Sequence, residues 1–164
     1  MLHFLPRRFA QKYINLYIVI IDIPLYFATE NPNDSQNPGP GNWRDANESM
    51  SDTSEDYQAQ IAGENHRGQV YDVDGVAFDG YDENGQTLLD AKGRYSQFIG
   101  SNGNFHDWWN GADSLIQQAR RQLAVAGNYA IEWHVMESDA ATAIRSLFRD
   151  NRITGISVIH TPQQ

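Results

Sequence analysis

Phe78-Asp79-Gly80-Tyr81-Asp82-Glu83-Asn84-Gly85-Gln86-Thr87-Leu88-Leu89-Asp90-Ala91-Lys92 is the stretch on which the fold turns. Asn-Gly between apolar runs is the strongest short-range signal of a β-hairpin, and it predicts a two-residue type I′ turn at Asn84-Gly85. In that register Tyr81 stands opposite Leu88, and Asp79 stands opposite Asp90. Lys92, two residues beyond Asp90, emerges on the same face. Like charges directly opposite one another destabilise a strand pair. Two carboxylates brought together beside an ammonium are therefore expected to hold a divalent cation. The plain alternative is a solvated hairpin with a surface Asp–Lys pair.

A second turn signal, Asp74-Gly75, precedes this one, so residues 70–91 read as a three-stranded meander. The face carrying Val76, Phe78, Leu89 and Ala91 is expected to lie on the core. Ahead of the meander, residues 51–62 read as a helix with Ser51 or Thr53 as its cap and Gly63 at its end. Beyond it, Leu115, Ala119, Leu123 and Ala126 recur at helical spacing and Gly127 is a natural terminator. Tyr129, Ile131, Trp133 and Val135 alternate as a strand. Residues 140–147 show a helical stripe, and residues 153–160 form a last strand. The order αβββαβαβ places an antiparallel meander before two β-α-β crossovers. That implies an α/β fold with a mixed sheet flanked by helices.

The chain has 164 residues, 40% of them apolar, which suits one domain of ordinary size. A net charge of -9 gives no general attraction to a polyanion, so any nucleic-acid contact must rest on local arginines or bound cations. There is no cysteine, which excludes disulfides and thiolate metal sites. Residues 1–28 form an apolar segment of uncertain role. Its run from Tyr13 to Ala28 is interrupted by Asn15, Asp22 and Pro24, making a poor transmembrane helix and only a loose signal peptide. Residues 29–54, rich in Asn, Pro, Gly and Ser, read as a disordered linker. The globular domain is expected over residues 55–162.

Several segments together carry a family resemblance. Tyr57-Gln58-Ala59-Gln60-Ile61-Ala62-Gly63, Phe78-Asp79-Gly80-Tyr81, Leu88-Leu89-Asp90-Ala91-Lys92-Gly93, Arg120-Arg121-Gln122-Leu123 and Ile131-Glu132-Trp133-His134-Val135 resemble restriction-endonuclease-fold toxin 5. So does the ending Ile156-Ser157-Val158-Ile159-His160-Thr161-Pro162. The pattern of Asp79 followed by Asp90-Ala91-Lys92 is similar to the PD-(D/E)xK nuclease motif, with Asp90 where Glu is often found. The resemblance implies a restriction-endonuclease-like core and a metal-dependent nuclease toxin, DNA being the favoured substrate. It implies Mg²⁺ or Mn²⁺ on Asp79 and Asp90, with Lys92 orienting or deprotonating the attacking water. It further implies a C-terminal toxin domain of the polymorphic or type VI secretion kind, a cognate immunity protein and a contact with a secretion apparatus. Such an effector is secreted or injected and acts in the cytoplasm of a competing bacterium, with no stable membrane partner.

The fold so implied also points to residues beyond the hairpin. Glu55, Asp56, Gln58 or Gln60 on the first helix are accessory candidates, because that helix often adds an acid or amide to the metal site. Gln118, Arg121 and Gln122 are expected on the exposed side of their helix, within reach of a phosphate, with Gln122 the favoured catalytic residue. His134 reads as a structural histidine. Trp108-Trp109 reads as packing beneath a loop, with base stacking as the alternative. Arg145, Arg149 and Arg152 make a local basic edge. Two other functions fit the same residues: an RNase, and a catalytically inactive nuclease fold retained for protein binding.

Overall fold

The computed structural model describes residues 39–46 and 51–164. The apolar segment and most of the predicted linker lie outside the described residues. One strand, however, falls within the linker, and the helix expected over 51–62 begins inside its last residues. Asn42–Asp45 is a strand, β1, and Asp52–Ala62 is the first helix, α1. The helix opens as its sequence dictates. Ser51 accepts a hydrogen bond from the Ser54 amide, and Gly63 closes the last turn with φ 97°.

β2 (Gln69–Val73) pairs antiparallel with β1 on one side and with β3 (Val76–Phe78) on the other. The β2–β3 turn holds Asp74 and Gly75 at φ 50° and 82°, the two positive values a type I′ turn requires. A second sheet follows in the order β4 (Gly80–Asp82), β5 (Thr87–Lys92), β6 (Ala130–Val135), β7 (Ile156–His160). β4 is antiparallel to β5, whereas β5–β6 and β6–β7 are parallel. The crossovers are α2 (Gly111–Val125) and α3 (Ser138–Asp150). The expected mixed sheet with helices on both faces is thus present, but the meander is split. Its middle run breaks at Asp79, passing from the small sheet to the large one.

The register of the decisive hairpin agrees with the sequence, since Tyr81 pairs with Leu88 and Gly80 with Leu89. Its turn does not. Asp82 pairs with Thr87 across a four-residue loop in which Gln86, at φ 49°, takes the left-handed conformation and Gly85 does not. Asp82 accepts from the Asn84 amide and the Thr87 hydroxyl donates to the Gly85 carbonyl. These side-chain bonds favour the longer loop. Two- and four-residue loops leave the same pairing, which is why the register was legible although the turn type was not.

The faces of β5 are a correction. Leu88, Asp90 and Lys92 lie beside Ile131, Trp133 and Val135 of β6, on the side covered by α2 and α3. That side is the main core, built with Leu115, Ile116 and Ala119 of α2 and Ala140, Ile144 and Phe148 of α3. Leu89, expected in the main core, packs instead toward α1, where Gly80 lets the Ala62 methyl approach. Both faces of β5 are covered, α2 and α3 packing over one and α1 over the other.

Tyr71 of β2 stacks on Tyr81 of β4 at 4.8 Å and joins the two sheets. The segment before β1 lies against this pair. A Cβ at Gly39 would run into the Tyr71 hydroxyl and the Tyr81 ring, and one at Gly41 into the Asp72 carbonyl oxygen. The glycines that read as linker composition are in fact close-approach positions. Gly41→Ala should therefore cost about 1–3 kcal/mol of unfolding free energy. Urea denaturation measures it, and an unchanged midpoint would show that this segment does not brace the domain.

Candidate active site

The break at Asp79 sets the site. With β3 and β4 in different sheets, the Asp79 side chain turns onto β5, where its Oδ2 accepts the Ala91 amide at 2.7 Å. Its Oδ1 accepts from Gln58 Nε2 of α1 at 3.1 Å, and the same amide group donates to the Gln69 carbonyl. Asp90 is 1% exposed and Lys92 5%. The Lys92 ammonium donates to Asp90 Oδ1 and, at 3.0 Å, to Gln118 Oε1. Gln118 and Gln122 both donate to Asp90 Oδ2, at 2.9 and 2.5 Å. Gln122 in turn accepts from the Trp133 indole N–H at 2.7 Å, and the Lys92 ammonium lies 4.3 Å from the Trp133 ring centre.

These groups line or underlie one cleft of about 470 Å³ between the small sheet and α2. Gln58, Asp79, Asp90 and Gln118 face it, with Arg44 of β1 and Arg121 of α2 at its sides. The electrostatics follow from enclosure. Asp79 keeps some exposure along the cleft wall, yet its carboxyl is pushed up to about 7, first by burial and then by the Asp90 charge. Lys92 and the Ala91 amide pull the other way. Burial alone would depress the Lys92 ammonium. The neighbouring acidic groups, Asp90 foremost, outweigh it and hold the group above its ordinary value.

The sequence candidates separate clearly. Asp79, Asp90, Lys92, Gln122, Gln58 and Arg121 are brought together. Glu55, Asp56 and Gln60 are not: Glu55 lies 3.8 Å from Arg67, Asp56 accepts from Arg67 at 2.9 Å, and Gln60 donates to the Pro162 carbonyl and accepts from the Gln164 amide. Of these first-helix candidates only Gln58 lines the cleft. Gln122 is fully buried rather than exposed, and it acts by holding Asp90. Gln118 is the partly exposed amide on that helix. Arg44 was missed because its short alternating strand sits in linker-like composition. His134 is bound to the Thr161 hydroxyl at 2.9 Å, Trp109 packs under its loop, and Arg145 donates to the Val158 carbonyl. Trp108 is 67% exposed.

The ligand candidates at the cleft floor are carboxylate and amide oxygens, the set a hard divalent cation prefers. Gln58 Oε1 is buried and has no hydrogen-bond partner. Among the described residues no cluster of three or more His, Cys, Asp or Glu side chains occurs, so a cation here draws on two carboxylates and neutral oxygens. The residues fit such an ion.

A family model described as restriction endonuclease fold toxin 5 matches residues 54–138, more than half of the chain. No curated protein matches it.

Two outcomes test the site's physics. The folded protein keeps the Asp79 proton to a higher pH than the unfolded chain, whose carboxyl titrates near 3.8. The stability this group contributes is complete below that value and is lost as pH rises through about 7. Urea titrations without divalent cations at pH 5 and pH 8 should show the wild type losing stability over the interval and Asp79→Asn losing less. Equal losses would assign the titration elsewhere. Gln122→Ala would strand the Trp133 indole N–H and open a cavity, at a cost of about 2–4 kcal/mol. A cost near zero in the same assay would mean that the bridge to Asp90 is dispensable.

Proposed function

This chain belongs to the restriction endonuclease fold toxin 5 family, and from that membership and the cleft geometry we propose that it is a metal-dependent nuclease toxin that hydrolyses phosphodiester bonds, DNA being the favoured target. The observation that carries the reading is the convergence of Asp79, Asp90 and Lys92 on a cleft floor where Gln58 Oε1 stands buried without a partner. Asp79, Asp90 and Gln58 are the groups that would hold Mg²⁺ or Mn²⁺. A divalent cation there supplies the positive charge that stabilises phosphoryl oxygens as the ester bond breaks.

The chain's own residues do the rest. Lys92, bound to Asp90 and Gln118, would orient the attacking water or donate to a phosphoryl oxygen and offset developing negative charge. Gln118 lies at the cleft and bonds both Asp90 and Lys92, fixing their separation. Gln122 and Trp133 hold Asp90 from behind in a single orientation. In the reaction a water oxygen forms a new bond to phosphorus while the bond to the leaving oxygen breaks; the attacking water gives up a proton to solvent, and the leaving oxygen takes one up from solvent.

As a toxin it would act in the cytoplasm of a competing cell after secretion or injection, and an immunity protein would protect the producer. Among the described residues no helix is long and apolar enough to cross a membrane.

Plasmid cleavage by the full chain, with Mg²⁺ and with EDTA, tests the reading. Asp79→Asn and Lys92→Met, each checked by thermal melting, should lower the rate by at least about 100-fold. Cleavage that persists in EDTA, or in both variants, would overturn the mechanism. Degradation of RNA in place of DNA would keep the chemistry and change the target.

A further inference from the structure

An acidic chain that works on a polyanion must meet it with local positive charge. The cleft has such charge on two sides, from two elements far apart in sequence. Arg121 extends from α2, one turn beyond Gln118. Arg44 extends from β1, which lies outside the residues matched to the family. β1 is registered on β2 with Arg44 opposite Val70, itself part of the cleft wall. Asp72 orients the Arg44 side chain, accepting from its Nε at 2.9 Å, and Asp72 is held in turn by the Gly75 amide at 2.9 Å. The Arg44 side chain nevertheless stays 42% exposed. An ion pair that open contributes little to stability, so the fold alone does not account for an arginine aimed along this wall.

We propose that Arg44 and Arg121 form a two-sided clamp on the phosphates flanking the bond to be cut. The proposal rests on the nuclease reading and adds to it the two residues that grip the backbone on either side of the cut. It also gives the segment before the family match a direct role in binding, since residues 39–46 carry one jaw of the clamp.

The test uses the full chain and a fluorescent oligonucleotide of about 20 nucleotides, in Ca²⁺ to permit binding, with affinity measured across a salt series and KM taken in Mg²⁺. Arg44→Ala and Arg121→Ala should each raise KM severalfold. Each should also make the slope of log affinity against log salt shallower by about 0.9 on duplex or about 0.7 on single strands, the loss of one phosphate contact. Arg44→Lys should restore the slope, because it keeps the charge. Asp72→Asn breaks the same ion pair but leaves the guanidinium, and should retain the wild-type slope. A wild type that cleaves while Arg44→Ala keeps its slope and KM would overturn the clamp and leave the nuclease reading standing. Equal loss of slope in Arg44→Ala and Asp72→Asn would reduce Arg44 to a brace for β1, also against the clamp. A wild type that neither binds nor cleaves would remove the nuclease reading, and the clamp with it.

Discussion

The burial of the Asp90 carboxylate constrains everything around it. A charge taken from water beneath a helix is tolerable only when it is paired and its lone pairs are filled. Lys92 occupies one oxygen, and Gln118 and Gln122 the other. Each of those partners must in turn be placed. Lys92 needs the extended β5 strand to bring it two residues along the same face. The glutamines need α2 to cross that face with successive turns over Asp90. Gln122 needs the Trp133 indole from β6 to satisfy its own oxygen. The pairing of β5 with β6 and the seating of α2 are therefore coupled through one carboxylate.

The second constraint is the break in the meander. A continuous strand from Val76 to Asp82 would keep Asp79 within one regular ladder. Because the chain changes sheets at that residue, Asp79 turns onto the Ala91 amide and meets Gln58 from α1. Gly80, which has no side chain, lets α1 approach closely at the next position. The small sheet then stands beside α2, and the gap between them is the cleft. Fold and site come from the same irregularity, and the raised Asp79 carboxyl is its electrostatic consequence.

Arg44 and the glycines before it show how composition misleads. A stretch of Pro, Gly, Asn and Ser has little to bury, and disorder is the expected outcome. Residues 39–46 are held by lying against Tyr71, Tyr81 and the β2 edge. Trp43, stacked on His66 at 3.5 Å, is the one large apolar anchor. Edge pairing is a property of the strand that accepts it, so it leaves almost no pattern in the strand that is added.

Local and periodic features were legible without coordinates. The Asn84-Gly85 signal set the parity of the hairpin, which pairs Tyr81 with Leu88 and puts Asp90 and Lys92 on one face, although the ladder begins at Gly80 and Asp79 is not paired with Asp90 in it. Helical spacing and a serine cap located α1, α2 and α3, because propensity and capping act within a few residues. The tertiary structure decided which face of β5 was inside, which first-helix residue reached the site, and whether Gln122 was exposed. Each of those depends on where a second element packs. Burial is a relation between segments distant in the chain, and a helix or strand carries its own period in sequence but not the direction from which its neighbour arrives.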